Sequence, residues 1–420
     1  MMSAPHLLAI TPAPHLAVAP APQPVIDPTP LATIPVARPR LPSAARILPY
    51  LREIDDAGWY SNHGPLTRRF QAGLAAHWGV LPTEVALLSN ATSALTLALL
   101  ASGAAPGSRC LMPSWTFAAS AGAVRAAGLV PHFVDVRADT WAPDPAELQA
   151  LAGQTGAGAI LVVSPFGAPL DLTAWDRVQA ATGLPLVIDG AAAFDTLRAG
   201  GPMPAGCCPI AVSLHATKVF GIGEGGALIC RDPAWLERVR RLANFGFLGT
   251  RTAELAGVNA KLSEYAAAVG LAGLDTWRDA RTRWAAAARC YGRRLHGCEA
   301  APGFDPGSTG GWVSSTLNVL LPRDWDVDLD AGTFAKLGIG TLRWWGPGCH
   351  GQPAYRDCPR QPLPVTEDLA RRCTGLPFWQ DITGDEVGRV CAALAGVARS
   401  HLTYNNCKKQ NLSVSYKLLG

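Results

Sequence analysis

The chain has 420 residues, enough for one large domain and a second, smaller one. Apolar residues make up 49% of it and charged residues only 16%, which allows a sizeable core and favours a partly covered surface such as that of a dimer. The net charge of +4 comes without clustered basic runs, which argues against a nucleic-acid-binding protein. No uncharged apolar stretch reaches the length of about 18 residues that indicates a membrane span.

The cysteines and the chain ends indicate where the protein works. Eleven cysteines are scattered without a CxxC pair or a Cys/His metal spacing, which is typical of a reduced, cytoplasmic protein without structural metal. Residues 1–40 are rich in Pro and Ala, nearly uncharged and without the pattern of a signal peptide, so we expect a disordered extension. Residues 401–420 are rich in Asn and Lys, and we expect a polar tail outside the fold.

Apolar strands and helical segments alternate along the first half of the chain. Strands are predicted over 85–89, 109–112, 131–135, 158–164 and 185–189, and helices over 92–103, 116–127, 145–153 and 172–181. Such alternation builds a mostly parallel sheet with helices on both faces, so we expect an α/β fold with its active site beyond the carboxyl ends of the strands.

A second unit follows this alternation. A long helix over about 262–295 leads to a strand at 315–321 and helices at 327–336 and 383–396. We therefore expect a large domain over 41–275, and a long helix with a smaller C-terminal α/β domain over 276–400.

The turn after the first strand is small and polar, with the sequence Ser89-Asn-Ala-Thr-Ser93. Backbone N–H groups and the hydroxyls of Thr92 and Ser93 at a helix N-terminus suit a phosphate, although Thr92 could equally be an ordinary N-cap. After the next strand, Pro113-Ser-Trp-Thr-Phe117 places aromatic rings either over a planar cofactor or in the core.

Two further strand ends carry chemistry. The apolar strand that ends at Asp189 offers a carboxylate either to a pyridine nitrogen or to the following turn. Next comes Ser213-Leu-His-Ala-Thr-Lys218 and then the glycine-rich stretch 221–226. A lysine placed there either lies on the surface before a hairpin or, once burial lowers its pKa, forms a Schiff base with pyridoxal phosphate (PLP). The strand-end carboxylate and the phosphate turn favour PLP.

In this order the motifs resemble the DegT/DnrJ/EryC1/StrS aminotransferases, from about Leu48 to Leu394. The other landmarks are Gly58-Trp-Tyr-Ser-Asn-His-Gly-Pro-Leu66, Phe133-Val-Asp-Val136, Asp189-Gly-Ala-Ala, Asn259-Ala-Lys-Leu-Ser-Glu264 and His350-Gly-Gln-Pro-Ala-Tyr355. The resemblance implies a PLP enzyme with an aspartate-aminotransferase-like fold that acts on nucleotide-linked keto-sugars.

The resemblance also implies the roles of the reacting residues. Lys218 would be the internal aldimine and the proton carrier, Asp189 would pair with the pyridine nitrogen, and Phe117 would stack on the ring. Glu264 has a weaker case, because it can simply cap or pair on the helix that starts there.

The phosphate site is implied in two parts. Thr92, Ser93 and Ser213 would hold the phosphate within one chain. Asn259, with Lys261 as a further candidate, would complete that site from the second subunit of a homodimer.

Two positions depart from the family pattern. Ala192 stands where the family usually has a Gln or His that binds the ring hydroxyl of the cofactor, and Ala91 stands where it has Gly. Neither departure touches Lys218 or Asp189, so we expect the chemistry to survive.

The loop Arg343-Trp344-Trp345-Gly-Pro-Gly-Cys-His350 has two interpretations. It is either a packed aromatic corner or a border of the sugar-nucleotide pocket, in which a tryptophan stacks on base or sugar, Arg343 meets the diphosphate and His350 lies close by. With the motif at 58–66, the second interpretation looks most like family members that make dTDP-4-amino-4,6-dideoxyglucose.

The resulting expectation is transfer of an amino group from L-glutamate to a nucleotide-linked keto-6-deoxysugar in polysaccharide or glycan biosynthesis. One alternative is a PLP-dependent sugar dehydratase, but the family's dehydratases replace the Schiff-base lysine with His. The other is a non-catalytic regulator with this fold, for which loss of Lys218 or Asp189 would be the expected sign.

Overall fold

The structure is a computed structural model that describes residues 34–295, 301–302, 311–322 and 327–397. Its large sheet has seven strands: β1 (Val85–Leu88), β2 (Arg109–Pro113), β3 (Val130–Val134), β4 (Ala157–Val163), β5 (Leu186–Asp189), β6 (Ile210–Ser213) and β7 (Gly226–Ile229). They lie in the order β1-β7-β6-β5-β4-β2-β3. The pairs from β6 to β3 are parallel, while β7 runs antiparallel to both its neighbours. The α/β fold with a mostly parallel sheet is therefore confirmed, although β7 was not among the predicted strands.

Helices cover both faces of this sheet. They are α1 (Ala44–Ala57), α2 (Pro65–Trp78), α3 (Ala91–Ala101), α4 (Ala118–Ala126), α5 (Pro145–Thr155), α6 (Leu172–Thr182), α7 (Pro233–Ala243) and α8 (Glu264–Leu295). Along β4, Ile160 and Val162 belong to one core while Leu161 and Val163 belong to the other. Burial of both faces explains why the strands read as continuous apolar runs.

The smaller sheet lies after α8. It contains β8 (Ala301–Pro302), β9 (Leu317–Leu320) and β10 (Cys373–Leu376), which pair antiparallel in the order β10-β9-β8. With it are α9 (Val327–Lys336), α10 (Pro364–Arg372) and α11 over 384–397. We call these elements the small unit.

A buried carboxylate connects α8 and the small unit to the large sheet. Asp195 is fully buried, and its oxygens accept hydrogen bonds from Arg281 Nε on α8 at 2.7 Å and from the Val313 amide at 2.9 Å. Buried charges need such partners. The contact holds the segment before β9 beside the loop that follows β5, where the cleft described below opens.

The N-terminal segment differs from the predicted extension at its end. Ile34 is buried, its amide donates to the Gly338 carbonyl at 2.9 Å, and its carbonyl accepts from the Gly340 amide at 2.8 Å. Residues 34–40 therefore lie against the small unit, because two backbone hydrogen bonds and an apolar side chain tie them there. Residues 1–33 and the tail predicted over 401–420 lie outside the described residues.

Candidate active site

A cleft of about 340 Å³ opens beyond the carboxyl ends of β5 and β6. The large sheet contributes to its lining, and so do the segment before β9 and the loop before α10. Its lining includes Thr92, Phe117, Ser164, Asp189, Ala192, Ser213, His215, Lys218, Glu224, Ser315, Thr316, Trp344 and Trp345. Six of the residues expected at the site are thus brought together: Thr92, Phe117, Asp189, Ser213, Lys218 and Trp344.

Asp189 ends β5 with its carboxylate buried and hydrogen-bonded. Its Oδ2 accepts from the Ser120 hydroxyl at 2.6 Å, and its Oδ1 accepts from the Ala191 amide at 3.0 Å. Burial raises the pKa of Asp189, while both hydrogen bonds and the charge of Lys218 oppose that rise. A positively charged N–H group in the cleft would complete this carboxylate's set of partners.

Lys218 follows β6 on a tight turn, in which its amide donates to the His215 carbonyl at 2.9 Å. Behind it, a Cβ on Gly221 would lie only 2.8 Å from the Ala216 backbone, so a larger residue would push the loop apart. Burial lowers the pKa of the Lys218 amine, and the charge of Asp189 partly raises it again. A buried amine with a lowered pKa is suited to attack an aldehyde.

One end of the cleft is formed by the N-terminus of α3. Asn90, not Thr92, is the N-cap, because its side chain accepts from the Ser93 amide at 2.7 Å. A Cβ on Gly226 would lie 2.3 Å from the Asn90 carbonyl carbon, so β7 presses directly on this turn. Thr92, which does not serve as the cap, lines the cleft, and so does Ser213 at the end of β6. Helix N-termini with hydroxyls suit phosphate groups.

Aromatic residues contribute to the lining of the cleft. Phe117 is 59% exposed, although it is a large apolar side chain. Trp345 stacks on Phe166 with ring centroids 4.0 Å apart and 12° between the planes, and it meets Trp115 edge-on. The tryptophan loop is therefore a packed aromatic corner and a wall of the cleft at once.

Three expected residues do not line the cleft. The Ser93 hydroxyl accepts from the Ser89 hydroxyl at 3.3 Å. Arg343 Nη2 donates to the Ala370 carbonyl at 2.6 Å. His350 Nδ1 lies 2.7 Å from the Ser114 hydroxyl, and burial lowers the pKa of that imidazole. Arg343 and His350 thus form hydrogen bonds within the protein and do not line the cleft.

Asn259 and Lys261 do not line the cleft of their own chain either. Lys261 pairs with Leu88 in a short β-bridge, and its Nζ lies 4.4 Å from the centre of the Phe245 ring. Asn259 is exposed beside it.

Glu264 begins α8, but its carboxylate caps another helix. It is fully buried and accepts from the amides of Leu66 at 2.7 Å and Thr67 at 2.9 Å, and from the Thr67 hydroxyl. These groups lie in the first turn of α2, whose N–H groups have no partner within the helix. The sequence predicted that Glu264 could cap the helix that starts there, which is α8, but it caps α2 instead.

Four residues at or next to the cleft had no role in the sequence interpretation: Ser164, His215 and Glu224 line it, and the buried Ser120 donates to Asp189 without lining it. His215 Nε2 lies 3.6 Å from Glu224 Oε1 at the cleft. His215 lies in the run that ends at Lys218, and Glu224 lies in the glycine-rich stretch that follows it. Their position next to Lys218 was the sequence signal that could have identified them. No sequence signal pointed to Ser120 or Ser164, because each reaches the site through contacts with β5, which is distant in the chain.

The residues of the cleft fit pyridoxal phosphate. Its pyridine needs the buried carboxylate, and its aldehyde needs the amine with a lowered pKa. Its phosphate needs the helix N-terminus with hydroxyls, and its ring face needs the exposed aromatic ring.

No group of three or more side chains suited to a metal ion occurs among the described residues. The same part of the chain has no helix that is long and apolar enough to cross a membrane.

Fold and cleft together define a PLP-dependent aminotransferase. Residues 43–395 match the DegT/DnrJ/EryC1/StrS aminotransferase family, and the chain belongs to that family. Pyridoxal phosphate is its cofactor.

Individual relatives agree with this assignment. The erythromycin biosynthesis sensory transduction protein EryC1 of Saccharopolyspora erythraea is 33% identical, over 82% of this chain and 93% of its own length. The dTDP-3-amino-3,4,6-trideoxy-alpha-D-glucose transaminase of Streptomyces venezuelae is 32% identical, over 79% and 86%. The crystal structure of a putative PLP-dependent aminotransferase from Bacillus cereus ATCC 10987 superimposes with a TM-score of 0.80 at 29% identity, over 86% of this chain and 99% of that one.

Proposed function

We propose that the protein transfers an amino group from L-glutamate to the keto group of a nucleotide-linked 6-deoxysugar, with dTDP-4-keto-6-deoxyglucose as the first substrate to test. The observation that carries the proposal is the placement of Lys218 and Asp189 in one cleft with an aromatic wall. The S. venezuelae relative, whose name specifies a dTDP-aminosugar, supports the substrate class.

PLP, when bound, supplies an electron sink that stabilises negative charge next to the reacting nitrogen. Asp189 would keep the pyridine nitrogen of the cofactor protonated, because a buried carboxylate stabilises a neighbouring N–H⁺ group. The Lys218 amine takes a proton from one carbon and returns it to another, and its lowered pKa keeps it free to do so. Thr92 and Ser213 hold the phosphate and thereby orient the ring.

The aromatic walls suit the rest of a nucleotide sugar. Sugars and bases pack against aromatic faces, and Phe117, Trp344 and Trp345 line the cleft. The pair formed by His215 and Glu224 offers a donor and an acceptor at suitable spacing for sugar hydroxyls.

The phosphate groups of PLP and of such a substrate need positive charge that this cleft does not supply alone. Among the described residues that line it, Lys218 is the only lysine or arginine. We therefore propose a homodimer in which Lys261 and Asn259 reach the cleft of the second subunit. Exposed aromatic residues near that pair support an interface: Tyr60 and Tyr265 are each 50% exposed, and Phe245 is 47% exposed.

The two alternatives make different demands on the chain. A sugar dehydratase of this family would have His at the position of Lys218, and a regulator without activity would not need an amine of lowered pKa beside a buried carboxylate. The regulatory name of EryC1 keeps the second alternative experimentally relevant.

A substrate panel tests the proposal. Purified protein is incubated with PLP, L-glutamate and dTDP-, UDP- or GDP-linked keto-sugars, and the products are analysed by mass spectrometry. Formation of an aminosugar together with 2-oxoglutarate is expected, with L-alanine and L-aspartate as comparison donors and Lys218→Ala as the inactive control. If no sugar on the panel gains nitrogen while keto-acids or other carbonyl compounds do, the proposed substrate class is wrong.

A further inference from the structure

The two sides of the cleft offer different groups to a PLP ring. Because β5 lies between β6 and β4, Ser213 is on one side of Asp189 and Ser164, which follows β4, is on the other. In PLP, the ring carbons that carry the phosphate arm and the hydroxyl flank the carbon that carries the aldehyde. With the nitrogen at Asp189, the aldehyde at Lys218 and the phosphate at Thr92 and Ser213, the ring hydroxyl must face the side of Ser164.

On that side, position 192 offers no side-chain hydrogen bond, because it is alanine. The turn that follows Ser164 lies directly on it: a Cβ on Gly167 would be 2.4 Å from the Ala192 carbonyl oxygen. The Ser164 amide also donates to the Asp189 carbonyl at 2.9 Å. Ser164 is thus held beside both the end of β5 and the loop that carries Ala192.

The Ser164 hydroxyl is placed to act on a ligand. Ser164 lines the cleft, although it is only 3% exposed. Its proton goes to the Ala168 carbonyl at 2.7 Å, which leaves both oxygen lone pairs available. A hydroxyl so placed can accept a hydrogen bond from a ring hydroxyl, or rotate and donate one to a deprotonated ring oxygen.

We propose that Ser164 is the side-chain partner of the PLP ring hydroxyl in this chain. It is a positioning residue that takes over a contact for which Ala192 has no suitable atom. When the ring oxygen is deprotonated, the Ser164 hydroxyl rotates from the Ala168 carbonyl and donates to that oxygen instead. This donation stabilises negative charge there, and that charge is conjugated with the nitrogen joining Lys218 to the cofactor. The contact should therefore lower the pH at which that nitrogen loses its proton.

A double-mutant cycle between Ser164 and the ring hydroxyl tests the contact directly. Apo forms of the wild type and of Ser164→Ala are titrated with PLP and with 3-deoxypyridoxal phosphate, which lacks only the ring hydroxyl. The wild type should prefer PLP over the analogue by about twofold to tenfold more than Ser164→Ala does, the range of one neutral hydrogen bond. The same preference in both proteins would overturn the proposal.

The absorbance of the bound cofactor gives a second readout. Ser164→Ala should raise the pH of the spectral transition by about half to one unit. Ala192→Gln, added to Ser164→Ala, should lower it again, because the amide donates to the ring oxygen from the neighbouring position.

Ser314→Ala is the matched control for this titration. Ser314 donates to the Phe166 carbonyl of the same turn at 3.1 Å but does not line the cleft. If Ser314→Ala shifts the transition as far as Ser164→Ala, rigidity of the turn and not a contact with the cofactor is responsible, and the proposal fails. Neither readout uses an amino donor or a sugar, so failure here is separate from failure of the proposed function.

Discussion

The Ser120 hydroxyl on α4 donates a 2.6 Å hydrogen bond to Asp189 Oδ2 at the end of β5. Both residues are buried, and 69 positions of sequence separate them. The bond fixes one carboxylate oxygen and opposes the effect of burial, which raises the pKa of Asp189. Activity should therefore depend on Ser120 through Asp189, without Ser120 touching a substrate.

Asp189→Asn should retain PLP but lower kcat by at least about a hundredfold, because a neutral amide cannot hold the pyridine proton. Ser120→Ala should lower kcat less, since it removes one hydrogen bond to a charge, worth about 1.5–3 kcal/mol. Steady-state kinetics with saturating cofactor measure both variants. Equal kcat in Asp189→Asn and wild type would remove Asp189 from the mechanism.

Lys218→Ala should lower kcat to below about one thousandth of the wild-type value, because one amine carries both the covalent and the proton-transfer roles. Borohydride treatment followed by mass spectrometry should find PLP attached to wild type and not to this variant. Lys336→Ala is the control, since Lys336 is exposed on α9. A reducible adduct in Lys218→Ala, with activity preserved, would mean that a different lysine reacts.

The pH dependence of cofactor capture should follow the Lys218 amine. Burial lowers its pKa from the ordinary value of 10.5, and Asp189 partly raises it. The neutral amine is the nucleophile, so the rate at which the apo-protein captures PLP should rise with pH to a plateau. The midpoint of that rise should lie below pH 10.5.

Asp189→Asn provides the sign test for this midpoint. Loss of the negative charge removes the contribution that raises the pKa of Lys218, so the midpoint should move to lower pH. Stopped-flow absorbance between pH 6 and 10 would follow PLP capture by both apo-proteins. An upward shift in the variant would contradict the electrostatic coupling of the two residues.

Glu264→Gln should lower the free energy of unfolding by roughly 1–3 kcal/mol, because the amide cannot accept all the hydrogen bonds from the first turn of α2. Urea unfolding of the apo-protein measures the change. Glu53→Gln is the matched control, since Glu53 makes a surface ion pair with Arg69 and should change stability by less than about 1 kcal/mol. Equal effects would show that Glu264 does not stabilise the end of α2.

The shared-site proposal predicts complementation between two inactive variants. Lys218→Ala and the double change Asn259→Ala with Lys261→Ala are mixed under conditions that exchange subunits. If the pair acts on the neighbouring cleft, one site of each heterodimer carries both lesions and the other carries none, so activity returns. If the pair acts on its own chain, every site keeps a lesion, and heterodimers shown by mass spectrometry would remain inactive.

The sequence alone predicted the alternating elements and the residues that carry motifs. Apolar runs separated by turns placed β5 and its Asp189, and the run ending at Lys218 placed a buried amine at the cleft. Such features are local, because burial pattern and turn chemistry act over a few residues. The predicted ends differ from the observed ones by only a few residues, as for α3, and β7 was missed.

Contacts between distant segments needed the tertiary structure. Ser120 reaches Asp189 because α4 packs on the sheet, and Ser164 lies beside Ala192 because β4 and β5 are neighbours. Likewise, Glu264 caps α2 because α8 begins beside it, and Arg343 turns to the Ala370 carbonyl instead of the cleft. Nothing in the spacing of these residues specifies their partners, since strand order and helix packing are set by the burial of whole faces. The identity of the proposed reacting groups was therefore decided by local sequence, and their surroundings by the packing of the entire domain.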